Sequence, residues 1–135
     1  LDQIDLAPLY LAKAAESLAG AESEFVNGRY NNCANRCYYA CFQAALSALV
    51  RSAIYPSGFP TQWGHGFVRA QFSGNLIGRR KLFPAELRDT LERTSESRVI
   101  ADYQKDAISS GQAERLVRRA RGFVRLVGRS EENLP

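Results

Sequence analysis

The 135-residue chain is about one domain's worth of sequence, long enough to bury a single core without metals or disulfides and too short for a two-domain enzyme. Hydrophobic residues make up 45% and charged residues 24%, which excludes a disordered tail, and no apolar run approaches the roughly 20 residues of a bilayer span. The formal charge of +4 is segregated: residues 1–28 carry five acids and one base, residues 29–82 seven bases and no acid, and residues 109–130 six arginines and one glutamate. Such segregation fits phosphate binding, an acidic partner protein or a solvated helix face. No basic stretch leading into an apolar run marks a secretory signal, so the expected location is the cytoplasm, with no membrane association.

In chain order, Ile4 to Val26 carries Leu6, Leu9, Tyr10, Ala14, Ala15, Leu18, Ala21 and Phe25 at three- and four-residue spacing, the stripe of a first helix. Asn27-Gly28 supplies the left-handed residue that ends it, and Asn31 or Asn32 is the expected cap of the next. The second helix runs from about Asn32 to Ser52, and its many Ala and Cys residues predict close approach to a neighbour. The short connection makes the pair an antiparallel hairpin. Two prolines and a glycine in Tyr55-Pro56-Ser57-Gly58-Phe59-Pro60 predict a loop.

A short helix is expected from Gly64 to Phe72, followed by an irregular basic stretch, Gly78-Arg79-Arg80-Lys81. Phe83-Pro84 opens a helix to about Ser95 with Leu87 and Leu91 inward. Ser109-Ser110-Gly111-Gln112 has the form of a capping box, and a last helix continues through Leu116, Val117, Ala120, Phe123, Val124 and Val127 until Gly128 stops it. With no alternating pattern long enough for a sheet and no repeat, the chain reads as a single all-α domain over residues 1–135, an antiparallel bundle of about five helices.

Cys33, Cys37 and Cys41 fall on one stripe of the second helix. That spacing is poor for intrahelical disulfides and lacks a second element for zinc, so they read as small packing residues, and no metal site or cofactor is expected. His65 is the only histidine, the one side chain whose ordinary pKa, near 6.5, suits proton transfer at neutral pH, and Arg69 follows on the same helix. In Arg98-Val99-Ile100-Ala101-Asp102-Tyr103 the arginine can clamp phosphate and the tyrosine can stack on a base, while an Arg98–Asp102 pair at i, i+4 explains the same residues without a ligand. Arg118, Arg121, Arg125 and Arg129 form the basic side of the last helix. No glycine-rich phosphate loop is present.

Several segments together resemble the short stand-alone prokaryotic HEPN proteins: Leu11-Ala12-Lys13-Ala14-Ala15-Glu16-Ser17-Leu18, Gly28-Arg29-Tyr30, Arg36-Cys37-Tyr38-Tyr39-Ala40-Cys41-Phe42-Gln43-Ala44-Ala45, His65-Gly66, and Arg98-x-x-Ala101-Asp102-Tyr103 before a final amphipathic helix. The resemblance spans about Leu9 to Val127. It implies a HEPN-like helical bundle, a homodimer, and a role among RNA-cleaving toxins, RNA-binding modules and partners of small nucleotidyltransferases, which act as antitoxins. Active family ribonucleases use an Arg-x(4–6)-His motif without metal. Arg98 matches the arginine, but the positions that would hold the histidine are Tyr103, Gln104 and Lys105. A tyrosine with an ordinary pKa near 10 is a poor base at neutral pH.

The expectation is therefore a module that binds RNA or a nucleotide-bearing partner within a toxin–antitoxin system, rather than an enzyme, with Arg98, Asp102, Tyr103, Arg69 and His65 facing the ligand. One alternative is a metal-independent endoribonuclease toxin using Arg98 and His65 as a non-standard pair. The other is a structural protein-interaction module.

Overall fold

The computed structural model describes residues 6–59, 62–104 and 107–132. Its elements are α1 (Leu6–Val26), α2 (Tyr30–Arg51), α3 (His65–Gln71), a π-helical segment (Phe72–Arg79), α4 (Glu86–Tyr103) and α5 (Ser110–Glu132), with no strand among the described residues. The expected all-α bundle of five helices is the architecture found. Ile4, Pro60 and Lys105, on which parts of the sequence reading rest, lie outside the described residues.

Most of the 22 residues of α2 are buried, so this helix is the axis of the bundle, packed by α1, α4 and α5 and touched by α3. Its small residues make that possible, because a helix covered on nearly every side has no room for a solvated face. On α1, Ala7, Ala14 and Ala21 recur every seven residues and are fully buried, letting the two backbones approach. The Ser47 hydroxyl of α2 donates to the Ala7 carbonyl at 2.7 Å across this contact. The buried stripe is narrower than expected: Ala15 is exposed and Leu9 is 48% exposed, while Ser17 is buried.

The α1–α2 turn is the predicted one. Gly28 has φ +74°, its N–H donates to the Phe25 carbonyl, and the Arg29 N–H reaches the Glu24 carbonyl at 2.9 Å, the paired bonds of a Schellman cap. Neither asparagine caps α2, however. Arg29 holds the N-cap position without a side-chain bond, and Asn31 instead accepts from the Ile108 N–H at 2.9 Å, tying the start of α2 to the entry of α5. The predicted capping box of α5 is present in both directions: the Gln112 N–H donates to the Ser109 hydroxyl at 3.1 Å, and the Ser109 N–H to the Gln112 side-chain oxygen at 2.8 Å.

Several element boundaries differ from the sequence reading: α2 begins at Tyr30 rather than about Asn32, and α4 at Glu86 rather than at Phe83-Pro84. The stretch through Gly78-Arg79 is a continuation of α3 in π form, closed by the Arg80 N–H on the Asn75 carbonyl at 2.8 Å. The wider turn keeps Phe72, Leu76 and Ile77 on the core. Helix α4 passes through Ser95 to Tyr103, because Thr94 and Ser95 are buried and the Thr94 hydroxyl returns to the Thr90 carbonyl at 2.8 Å; packing overrides their weak propensity. Gly128 does not stop α5: it sits inside the helix, where an added Cβ would lie 3.8 Å from Leu11 of α1.

The three cysteines are free and fully buried, as the packing reading expected. Burial pushes the Cys41 thiol up to about 12, and the Cys37 thiol is also raised, chiefly by its hydrogen bond with Cys33 and then by burial.

Candidate anion-binding cleft

Helices α2, α3 and α4 bring together side chains that are distant in sequence. Tyr38 faces out of the middle of α2 and is fully buried. Its hydroxyl is hydrogen-bonded to Nδ1 of His65, the first residue of α3, and the two rings lie nearly parallel at 9°. The imidazole is also stacked on Phe42, one turn along α2, with ring centroids 4.6 Å apart. The guanidinium of Arg98 from α4 also lies over the phenol ring, its Cζ 4.9 Å from the centroid. His65 and Arg98 thus share Tyr38 as a common neighbour.

The electrostatics of this group follow from its composition. The His65 pKa is lowered from 6.5 by burial first, then by the positive charges of Arg98 and Arg69. The Tyr38 phenol is pushed up to about 12, mainly by burial, with Arg98 and Arg69 pulling the other way. At neutral pH the phenol therefore keeps its proton and the imidazole is neutral. We assign the phenol as donor to Nδ1, which leaves the ring proton on Nε2.

Arg98 and Arg69 are held but not saturated. Arg98 lies 3.6 Å from Asp102 through NH1, outside hydrogen-bond range, and its side chain is only 17% exposed. Asp102 is engaged instead by the Asn35 amide of α2, which donates to its two carboxylate oxygens at 3.2 and 3.0 Å. The Asn35 carbonyl oxygen in turn accepts from Nε and NH2 of Arg36, at 3.1 and 2.7 Å, and that guanidinium lies 5.2 Å over Tyr39. Arg69 donates to the Ser95 hydroxyl at 3.1 Å. The Nε–H donors of Arg69 and Arg98 are both buried without an acceptor among the described residues. A buried guanidinium donor left unpaired is costly and is relieved by an anion such as phosphate, which accepts in the plane of the fork. Three guanidiniums meet one carboxylate here, so the group carries excess positive charge.

Of the residues singled out from sequence, His65, Arg69, Arg98 and Asp102 belong to this group. Tyr103 does not: it ends α4 at 76% exposure and makes no ring contact among the described residues. The i, i+4 reading of Arg98 and Asp102 holds as an ion pair, but a loose one, with the carboxylate shared by α2. Sequence reasoning passed over Asn35, Arg36, Tyr38, Tyr39 and Ser95. The signal for them in the sequence is the Arg36-Cys37-Tyr38-Tyr39 segment, in a stretch without acids, and nothing there says that Tyr38 contacts both an imidazole and a guanidinium. Among the described residues no group of His, Cys, Asp and Glu could hold a metal ion.

The arginines of α5 behave differently. Arg118, Arg121, Arg125 and Arg129 are exposed, as their spacing predicts, with Arg118 paired to Glu114 at 3.3 Å and Arg121 to Glu22 of α1 at 3.0 Å. Pairing across α1 and α5 uses part of the acidic excess of the first 28 residues.

An all-α bundle in which Tyr38, His65, Arg69 and Arg98 converge where its second, third and fourth helices meet is the setting in which the class of protein is to be read. The HEPN domain model matches residues 7–132, nearly the whole chain. The chain belongs to the HEPN domain family, which is consistent with an RNA-related or nucleotide-binding module. A search of curated proteins returns no match. No described helix is long and apolar enough to cross a membrane.

Proposed function

We propose that this HEPN domain binds RNA by seating a backbone phosphate in the cleft between α2, α3 and α4. The observation that carries the reading is the pair of buried Nε–H donors of Arg69 and Arg98, without an acceptor among the described residues and both close enough to His65 to depress its pKa. Arg98 and Arg69 supply the donors, Tyr38 and the Asn35–Asp102 bond hold Arg98 in place, and neutral His65 adds a third donor through Nε2. The homodimer implied by the family resemblance would present two such clefts to one strand and add avidity without new contacts.

A second reading is favoured by one further observation. His65, held by the same Tyr38 that Arg98 lies over and near enough to feel its charge, supplies an imidazole that the position of Tyr103 lacks. In an endoribonuclease of this kind the imidazole takes the other tautomer, with Nδ1–H donating to the Tyr38 oxygen, so that Nε2 accepts the proton of the 2′-hydroxyl as O2′ bonds to phosphorus; the P–O5′ bond breaks, the 5′-oxygen leaves with a proton from solvent, and the guanidiniums balance the charge that develops on the phosphoryl oxygens. This is the toxin reading, in which a nucleotidyltransferase-like partner acts as the antitoxin.

One experiment separates the two. Fluorescence anisotropy of labelled single-stranded RNA is measured with the native protein, Arg98→Gln and Arg69→Gln, and the recovered RNA is examined for 2′,3′-cyclic phosphate ends. The binding reading predicts intact RNA and a loss of about tenfold in affinity for each variant, uniform across sequences. Cyclic phosphate ends that disappear in His65→Ala support the toxin reading. Affinity unchanged by both arginine variants contradicts a phosphate seat in this cleft.

A further inference from the structure

A second cationic cavity lies away from the cleft just described, between α4 and α5. It has a volume of about 160 Å³ and is lined by Arg93 and Ser97 of α4 and by Gln112, Arg115, Leu116 and Arg119 of α5. Arg93 and Ser97 are one turn apart on α4; Gln112, Arg115 and Arg119 occupy successive turns of α5, so five polar side chains converge from two helices. Three of them are guanidiniums.

The only carboxylate bonded to these guanidiniums among the described residues is that of Asp89, one turn before Arg93. It holds Arg119 at 2.9 Å and Arg93 at 3.5 Å through different oxygens. Asp89 therefore braces two guanidiniums at the wall and neutralises one charge of three. Arg115 forms no ion pair among the described residues, and the Ser97 hydroxyl makes no hydrogen bond there. The Gln112 side-chain oxygen is committed to the capping box, which leaves its NH2 group, at the cavity wall, without a hydrogen bond among the described residues. The cavity thus offers donors and no free acceptor carboxylate, the pattern that suits a tetrahedral oxyanion rather than a metal or an apolar group.

We propose that this cavity is a second phosphate site, filled by another backbone phosphate of the RNA strand. The identity of the strand rests on the reading of the cleft above; the affinity for phosphate does not. Two sites on α4, one on its α2-facing side and one on its α5-facing side, would guide a strand around this helix. Sequence alone hid the site: Arg93 and Arg115 are separated by 22 positions, and the basic character of the last helix had been read from Arg118, Arg121, Arg125 and Arg129.

The test has two arms, both on the full chain. In the first, the salt dependence of single-stranded RNA affinity is measured for the native protein, Arg115→Gln and Arg125→Gln. The last is a charge-matched control on the exposed side of α5. Arg115→Gln is expected to weaken binding about fivefold and to reduce the slope of log affinity against log salt by about 0.7, the share of one single-strand phosphate, with a far smaller change in Arg125→Gln. Equal effects in the two variants overturn the proposal, because they report diffuse charge.

In the second arm, the Arg115 Nε–H resonance is followed by NMR as inorganic phosphate is added, in native protein and in Arg98→Gln. A saturating shift that survives Arg98→Gln supports the cavity as a phosphate site even where RNA binding itself fails. A resonance that does not move in either protein overturns it.

Discussion

The His65 ring is the most informative single residue of the molecule. It is neutral because burial and two nearby guanidiniums oppose its proton, and neutrality lets Nδ1 accept from Tyr38 while the ring proton stays on Nε2. The same depression makes a pH prediction. Above pH 6.5 the imidazole is uncharged in both folded and unfolded chains and contributes no slope. As pH falls below 6.5 the unfolded chain takes up a proton that the folded chain resists, so stability declines until the folded pKa is passed. Urea midpoints between pH 7.5 and about 5 are expected to fall in the native protein and to fall less in His65→Gln, since glutamine removes the titration. Identical slopes in the two proteins would show that His65 does not titrate as described. The sequence discloses the imidazole as a candidate by its uniqueness, but its state is set first by burial and then by the charges of Arg98, 33 positions away, and Arg69, and no local pattern carries the burial or the approach of Arg98.

Helix ends show how far local chemistry reaches. The same C-cap occurs twice: after α1 with Gly28 at φ +74°, and after α2 with Ala53 at φ +60°, where the Ala53 N–H donates to Val50 and the Ile54 N–H to Leu49. The first was legible because Asn-Gly announces it; the second was not, since alanine does not favour the left-handed region. This contrast yields opposite substitutions. No atom lies within 4 Å of a Cβ added at Gly28, so Gly28→Ala should cost about 1 kcal/mol through the backbone alone. Ala53→Gly should stabilise by about 0.5 kcal/mol, the left-handed strain relieved less the entropy glycine adds to the unfolded chain. In thermal melts this means a Tm lower by a few degrees for the first and slightly higher for the second; shifts of the same sign would contradict the cap assignment. The extension of α4 past Ser95 was hidden for the opposite reason: Ser and Thr there are weak helix formers locally, and only burial against α2 keeps them helical.

For the whole molecule, the legible part was the hydrophobic pattern: a central small-residue helix, a hairpin partner and an amphipathic last helix follow from three- and four-residue spacing. The illegible part was convergence. The cleft takes residues from α2, α3 and α4, and the α4–α5 cavity takes them from helices joined across a loop, so neither appears as a motif. Charge segregation links the two scales. Acids of the first 28 residues meet α5 through Glu22 and Arg121. Helix α4 carries more acids than bases, so the guanidiniums around Arg98 and those of the Arg93–Arg115 cavity come together by convergence of helices rather than from a locally basic segment.

The most direct measurement follows the single histidine by NMR, where its ring signals cannot be confused with another. Titrated alone, the native protein should show a His65 pKa below 6.5. Titrated with excess single-stranded RNA, the pKa should rise, because a phosphate between Arg69 and Arg98 offsets their charge and favours the imidazolium. A pKa that RNA leaves unchanged, in a protein that binds the strand, would place the phosphate elsewhere and contradict the cleft as its seat.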